Sequence, residues 1–376
     1  MVQSNLRIPK RNPKILRRPR LLDQLHGSAH RKLSFICAPA GYGKTTLLID
    51  FAEDVDGDIF WYRITEQDLS LTSFFENLVS AFQSQIPDFG ESLQGIIRGG
   101  VQSPRFLAME FINALYQSVT GYAFLFLDDY HIVSDVPEIV EFLDHVLEFL
   151  PDQLRIVIGS RSVYGIPTAF LYIQEQLSVV GATELAFRPE ELQDLCSQYY
   201  QINLTDEQTR QIIAESEGWI VAILLALRSK SSTIEIPKIL GAREHIYHYL
   251  ANDVVSALPD YLKEFMYATS MVEEFSASSA NYLLEIENSP AIITELEELN
   301  LFLSDTESGG EEIYRYHQLF AEFLRDHTGV ELQDRLETLH ARAGKWFEQN
   351  DQPEQAVSHY LQGDKISSAA RVIDQH

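Results

Sequence analysis

Runs of apolar residues alternate with segments of helical periodicity through the first half of the chain. Short β-rich runs occur at 33–37, 59–62, 123–127 and 155–158, with a weaker run at 184–187. Helix-length segments separate most of them, at 71–86, 104–119 and 138–150. The strand-like runs are almost continuously apolar, which is typical of strands buried on both faces. Strands that alternate with helices predict an α/β fold, in which helices cover both faces of a parallel sheet.

Beyond residue 188 the pattern becomes mostly helical. Pro189 suits the first turn of a helix, and the periodicity predicts short helices near 190–200, 205–215 and 218–229, then a hinge at 231–237. Between 243 and 330 it predicts four or five helices and one hairpin, with strands at 301–305 and 313–316 around a turn at 309–310. Helices with a small hairpin indicate a winged-helix domain.

The last segment, 331–376, is predicted to form amphipathic helices at 332–349, 353–362 and 365–374. The spacing of Ala343, Trp346, Tyr360 and Gly363 is similar to one unit of a tetratricopeptide-type array. A single unit cannot bury its apolar face, and stable arrays need about three units. The chain is therefore expected to be a piece of a longer protein. The alternative is a terminal helical hairpin packed on the rest of the chain.

Composition indicates a globular protein. The 376 residues are 45% hydrophobic and 22% charged, enough for two to four domains. Two distant cysteines, Cys37 and Cys196, favour a reducing compartment, so a cytoplasmic location is expected. The longest apolar run, 219–227, is too short to cross a bilayer and no signal peptide is evident, so no membrane partner is expected.

The charge is strongly negative but uneven. A net charge of −26 argues against a nucleic-acid surface on this fragment. The first 32 residues, however, carry nine Lys and Arg and a single acid, Asp23. This basic arm would contact nucleic acid or, the favoured interpretation, place Arg17, Arg18 and Arg20 beside a bound nucleotide or against the acidic remainder.

The segment APAGYGKTT at 38–46 predicts a phosphate-binding loop. It follows the run 33–37 and leads into a helical segment, and a glycine turn between a strand and a helix presents backbone N–H groups to phosphates. Lys44 would reach the β- and γ-phosphates, and the Thr45 hydroxyl would bind Mg²⁺. The candidate nucleotide-binding residues of the loop are Ala40, Gly41, Tyr42, Gly43, Lys44, Thr45 and Thr46. Ala38 replaces the first glycine of the strict pattern, and an ordinary glycine turn is the alternative.

Two further strand ends carry candidate residues. FLFLDD at 124–129 places Asp128 to hold Mg²⁺ and Asp129 to orient or deprotonate the attacking water. IVIGSR at 156–161 would bring Arg161 to the same edge of the sheet, where it senses the γ-phosphate. Lys44, Asp129 and Arg161 are therefore the candidate catalytic residues. A solvated strand end and a surface arginine are the alternatives.

A histidine forms the fourth candidate. YRYHQLF at 314–320 places His317 at a predicted helix start. A lone histidine there is usually structural, and on the residues alone that is the favoured interpretation.

Together these strings resemble the STAND class of signal-transduction ATPases, specifically the MalT-like regulators of the LuxR-type large ATP-binding group. The resemblance covers essentially the whole chain. It rests on LRRPRLL at 16–22, AGYGKTT at 40–46, WY at 61–62, LDDYH at 127–131, SR at 160–161, GW at 218–219, YH at 316–317 and LF at 319–320.

The resemblance implies an α/β P-loop NTPase of the ASCE type, followed by a helical domain, a winged-helix domain and the start of a tetratricopeptide-like array. The implied boundaries are 1–188, 189–240, 241–330 and 331–376. His317 would bind the β-phosphate of ADP and hold the closed resting form, and Arg18 would lie near the adenine. Ile220 replaces a proline that relatives often carry, so Trp219 is equally interpreted as a core residue.

The implied function is an ATP/ADP-switched regulator with Mg²⁺. ADP would favour a closed form, ATP would open it for self-association, and slow ATP hydrolysis would reset it. A small-molecule or protein inducer would bind a missing helical array, and a missing effector would contact DNA. The alternatives are a ring-forming remodelling ATPase and a STAND defence receptor. Adenine is favoured over guanine only because no Asn-Lys-x-Asp string is evident.

Overall fold

The computed structural model describes residues 4–11, 13, 15–91, 93, 103–161, 165–166, 168–228, 246–299, 301–308 and 311–375. They form two compact units, Met1–Arg210 and Gln211–His376, and each is described by itself. The hinge predicted at 231–237 and the turn predicted at 309–310 lie outside the described residues. The four domain boundaries expected from the sequence remain predictions.

A parallel sheet forms the centre of the first unit. Its five strands are β1 (Leu33–Cys37), β2 (Asp58–Arg63), β3 (Ala123–Asp128), β4 (Leu154–Ser160) and β5 (Leu177–Val180). They follow the order β2-β3-β4-β1-β5, and every pair is parallel. β1 and β3 are buried along their whole length, as their continuous apolar runs predict. The predicted α/β fold is confirmed.

Helices precede, connect and follow these strands, and the last of them extends past Arg210 into the second unit. They are α1 (Pro19–Gly27), α2 (Lys44–Ala52), α3 (Leu71–Gln83), α4 (Pro104–Ser118), α5 (Pro137–Glu148), α6 (Thr168–Ile173), α7 (Ala182–Leu185), α8 (Pro189–Leu195) and α9 (Asp206–Ser216). The Ser70 hydroxyl accepts a hydrogen bond from the backbone of Ser73 and so caps α3. Phe82 of α3 stacks on Phe60 of β2 at 4.0 Å between ring centroids, which fixes this helix on the sheet.

The weak strand predicted at 184–187 is wrong. The fifth strand is β5, and the chain then turns into the short helix α7. The N–H of Gly181 donates to the Glu184 carboxylate at 2.9 Å, a cap that starts the helical turn. Leu185 and Phe187 are buried through this turn rather than through a strand, so their apolar pattern was misleading.

The second unit combines helices with a hairpin. Its helices up to residue 331 include α10 (Ile220–Arg228), α11 (Asp260–Thr269), α12 (Ala277–Leu284), α13 (Ser289–Glu298) and α14 (Gln318–Glu331), and the segment Leu250–Val255 is also helical. The hairpin pairs β6 (Leu303–Ser308) with β7 (Glu311–Tyr316). A backbone bridge joins Tyr314 to Phe275, and the Tyr316 hydroxyl hydrogen-bonds to Thr269 at 2.9 Å. The hairpin is thereby held against the helices, as expected of a winged-helix domain.

Three helices follow, as the periodicity predicts: α15 (Leu336–Gln349), α16 (Pro353–Gln362) and α17 (Ile366–Gln375). Gly344 allows α15 and α16 to approach closely, because a Cβ there would lie 2.7 Å from the Tyr360 ring. Ala356, Tyr360 and Val372 form a small core between the last helices.

Neither cysteine is in a disulfide, and both thiols are buried. Among the described helices, none is both long enough and apolar enough to cross a membrane.

Candidate nucleotide-binding site

The loop between β1 and α2 has the backbone shape of a phosphate cradle. Gly41 and Gly43 have φ values of 78° and 86°, in the left-handed region that other residues rarely adopt. Gly43 precedes the first turn of α2, and its carbonyl accepts the N–H of Leu47 at 3.0 Å. The first N–H groups of a helix have no intrahelical acceptors and form an electropositive end. The loop can therefore present several donors to an anion.

Lys44 is buried and folds back over the loop. Its ammonium donates to the carbonyls of Ala38 at 2.7 Å and Pro39 at 2.9 Å. Burial, followed by the positive charge of Arg161, lowers the pKa of Lys44 to about 8. An anion bound in the loop would favour the charged ammonium, because an opposite charge offsets the cost of burial.

Thr45 and Asp128, the predicted Mg²⁺ ligands, lie in contact. The Thr45 hydroxyl donates to the Asp128 carboxylate, with oxygen–oxygen distances of 3.0 and 3.1 Å. Asp128 is 1% exposed, and burial followed by the negative charge of Asp129 raises its pKa to about 6. A hydroxyl and a buried carboxylate at the edge of the sheet fit Mg²⁺, which takes few protein oxygens and would stabilise the ionised carboxylate.

Asp129 and Arg161 end neighbouring strands at this edge. Asp129 follows β3 with φ 59° and ψ 36°, and its carboxylate accepts a hydrogen bond from Arg63 Nε at 3.0 Å. Arg161 follows β4, and its charge lowers the pKa of both Lys44 and His131. The remaining loop candidates are placed as follows: Ala40 and Tyr42 are buried, and Thr46 is half-buried in the first turn of α2.

Two residues at this edge were not assigned a role from the sequence. Arg63 was missed because its contact with Asp129 depends on the pairing of β2 with β3. His131 lies in the turn after Asp129; its Nδ1 atom is buried with no hydrogen-bond partner among the described residues. Burial, then the charge of Arg161, lowers the pKa of His131 to about 4, so the imidazole is neutral. The motif LDDYH contained the only sequence signal for it.

The basic arm pairs with acidic residues of the same unit. The Arg18 guanidinium bonds to Glu191 at 2.8 Å and to the carbonyl of Leu185 at 2.7 Å, and it lies over the Phe187 ring at 4.4 Å. Arg20 also bonds to Glu191, and Arg17 pairs with Asp54. These contacts fit one of the two roles predicted for the arginines, which is pairing with the acidic remainder of the chain. The adenine contact of Arg18 stays a prediction.

His317 occupies a buried aromatic pocket in the second unit. It precedes α14 and is 6% exposed, with Trp219 and Phe302 packed edge-on at 5.9 and 6.1 Å. Its Nε2 lies 3.0 Å from the carbonyl oxygen of Ser216, so Nε2 carries the proton. Nδ1 is buried with no hydrogen-bond partner among the described residues. Burial lowers the pKa of His317 and favours the neutral ring, although the Glu217 carboxylate lies 3.8 Å from Nε2 and acts in the opposite direction.

Trp219 is a core residue in this unit. It is 1% exposed, and its ring packs on Phe302 at 5.4 Å between centroids. This packing supports the core interpretation over a contact with adenine.

Residues 251–336 match the family described as the MalT winged helix domain. The chain is 28% identical over 96% of its length to the serine/threonine-protein kinase PknK of Mycobacterium tuberculosis, spanning 33% of that protein. It is 27% identical over its whole length to the HTH-type transcriptional regulator MalT of Cronobacter sakazakii, spanning 42% of it. The chain thus spans well under half of these relatives.

Among solved structures, a Walker-type ATPase of Pyrococcus abyssi shares the fold. Its TM-score is 0.59 at 13% identity, and the match covers 84% of this chain and 98% of that one. The predicted resemblance to MalT-like regulators is confirmed, as is a P-loop α/β fold with a winged-helix domain.

Proposed function

We propose that the chain is the nucleotide-operated switch module of a transcription regulator and that it binds ATP or ADP with Mg²⁺ at residues 38–46. The observation that carries the proposal is the convergence of the left-handed glycine turn, Lys44 and the Thr45–Asp128 pair at one edge of the sheet. The regulator role is supported by the likeness to MalT. We assign neither inducer recognition nor DNA contact to these 376 residues.

The chemistry proposed at the site is slow hydrolysis of ATP. When bound, Mg²⁺ would neutralise charge on the β- and γ-phosphate oxygens, held by Thr45 and Asp128. Lys44 would exchange the carbonyls of Ala38 and Pro39 for phosphate oxygens. Asp129 would accept a proton as the water oxygen bonds to the γ-phosphorus, and the bond from that phosphorus to the β–γ bridging oxygen breaks. Arg161 would stabilise the charge that develops, and the products are ADP and inorganic phosphate.

The proposed switch couples the nucleotide to His317. In the closed form this residue would contact the β-phosphate of ADP, and the ATP-bound form would open and self-associate. We propose that the switch is built from four domains, with the boundaries 1–188, 189–240, 241–330 and 331–376. The free Nδ1 atom of His317 supports this role, because it is the ring atom that is left without a partner among the described residues.

The contact with a phosphate requires protonation of His317. Its Nε2–H is engaged by Ser216, so in the neutral ring Nδ1 is only an acceptor and cannot donate to a phosphate oxygen. A diphosphate would raise the pKa of the ring by its negative charge. ADP binding in the closed form should therefore be accompanied by uptake of a proton.

The phosphate loop is tested by Lys44→Ala. Loss of a charge-assisted contact of about 1.5–3 kcal/mol should weaken both nucleotides by about 10- to 100-fold in titration calorimetry. Lys345→Ala, at an exposed lysine of the second unit, is the control and should bind normally. Unchanged binding by Lys44→Ala would remove the assignment of the loop.

The switch is tested by His317→Ala. We expect ADP affinity to fall about tenfold while ATP affinity changes little, because a typical coupling between sites is about 1–3 kcal/mol. His248→Ala, at an exposed histidine of the same unit, is the control. If both affinities stay at their wild-type values, His317 has no switch role.

A further inference from the structure

Arg63 holds the carboxylate proposed to activate water. Its Nε donates to Oδ2 of Asp129 at 3.0 Å. Arg63 is the last residue of β2, and in the parallel register it lies opposite Asp128. In the part of the chain that the structure describes, no other side chain hydrogen-bonds to the Asp129 carboxylate. The resting orientation of this carboxylate is therefore set by one arginine.

The backbones on both sides of this contact are fixed. The N–H of Ile64, directly after Arg63, donates to the carbonyl of Asp128 at 3.0 Å. Asp129 is held in a left-handed conformation, and its own carbonyl accepts the N–H of Ile132 at 3.1 Å. A non-glycine residue keeps such a conformation only where its surroundings impose it. These hydrogen bonds hold the main chain on both sides of the Arg63–Asp129 contact.

The side-chain contact is easily exchanged. The Arg63 side chain is 55% exposed and that of Asp129 is 21% exposed, and ion pairs with this much solvent are weak. The pair is thus strong enough to orient Asp129 at rest and weak enough to release it.

We propose that Arg63 is a positioning residue that restrains Asp129 and keeps ATP hydrolysis slow. This inference rests on the proposed hydrolysis at this site. While Arg63 holds Oδ2, that oxygen is unavailable to a water proton. Release of the pair frees the carboxylate for the water that attacks the γ-phosphorus.

The test is single-turnover ATP hydrolysis by the full chain with Mg²⁺, together with the affinity for ATP. Arg63→Ala should raise the rate constant about tenfold with unchanged ATP affinity. Arg63→Lys keeps a cationic donor at this position and should restore a rate close to wild type. Arg210→Ala, in an exposed pair with Glu207, is the matched control and should change nothing.

Asp129→Asn should abolish hydrolysis both alone and combined with Arg63→Ala. An Arg63→Ala rate at or below wild type would overturn the inference. So would an acceleration that Arg63→Lys does not reverse, or one that persists with Asp129→Asn. If the wild type and Arg63→Ala both bind ATP without hydrolysing it, the restraint by Arg63 is wrong. Failure of the wild type to bind ATP would instead overturn the proposed function.

Discussion

The edge of the sheet in the first unit and the histidine pockets of the second unit bury polar groups in different ways. At the edge the buried titratable groups of the phosphate loop and β3 are charged and partnered, Lys44 with two carbonyls and Asp128 with Thr45, while His131 beside them is neutral. In the second unit they are neutral imidazoles, His317 between aromatic rings and His340 against His359. Both arrangements follow from the cost of removing a charge from water.

The difference indicates which ligand each region would respond to. Burial moves the pKa of Lys44 down to about 8 and that of Asp128 up to about 6, so each charge is disfavoured without an opposite charge beside it. A phosphate and a divalent cation would supply those charges. The pKa of each imidazole is lowered as well. Those rings would respond to an anion or to acid by taking up a proton.

The largest effect is expected for Asp128→Asn in Mg²⁺-free protein. The pKa of Asp128 is raised in the folded state, so its ionisation costs stability as pH rises from about 4 to about 6. The amide can still accept from Thr45 without that cost. Asn should therefore raise the free energy of unfolding by about 2 kcal/mol at pH 8 and by almost nothing at pH 4.

Urea unfolding in buffer that contains a metal chelator measures these free energies of unfolding. Asp152→Asn, at an exposed aspartate, is the control and should have no pH-dependent effect. If Asp128→Asn is less stable than the wild type at pH 8, ionisation of the buried carboxylate does not destabilise the protein. The contrast between the two regions would then fail.

A smaller effect is expected on the ADP affinity as a function of pH. If ADP binding protonates His317, affinity should fall by up to about tenfold per unit as pH rises above the pKa of the free ring. His317→Gln removes this proton uptake, while titration of ADP itself remains the same in both proteins. Calorimetry between pH 6 and 8 gives the difference in slope. Equal slopes would mean that the histidine stays neutral with ADP bound.

The local parts of the site were predictable from the sequence because their signals are contiguous. The strand, the glycine turn and the helix that hold Lys44 lie within twenty residues, and Asp128 ends an unbroken apolar run. The strand at 184–187 failed for a local reason: an apolar pair suits a buried helical turn as well as a strand. Only the Gly181–Glu184 cap decides between them.

Contacts between distant segments were not predictable. The Arg63–Asp129 pair joins residues 66 positions apart and depends on the neighbours and register of β2. The Ser216 carbonyl that fixes the proton of His317 is 101 positions away. Neither contact leaves a periodicity or a motif in the chain, so the restraint of Asp129 and the protonation argument required the structure.

The smallest effect is expected for the imidazole pair of the last helices. His340 and His359 lie with their Nδ1 atoms 3.0 Å apart, and Phe347 stacks on His359. Burial, then His359, lowers the pKa of His340 to about 4. The unfolded chain therefore takes up a proton at higher pH than the folded chain does. The contribution of His340 to the free energy of unfolding has its full value above about pH 6.5 and is lost as pH falls towards 4. Between pH 7.5 and 5.5, the free energy of unfolding of His340→Leu should fall by about 1 kcal/mol less than that of the wild type. Hydrogen exchange in α16 measures this difference, and His248→Ala is the control. If His340→Leu loses as much stability between these pH values as the wild type, the imidazole pair is already solvated. Of His317, His340 and His359, only His317 would then be buried and neutral.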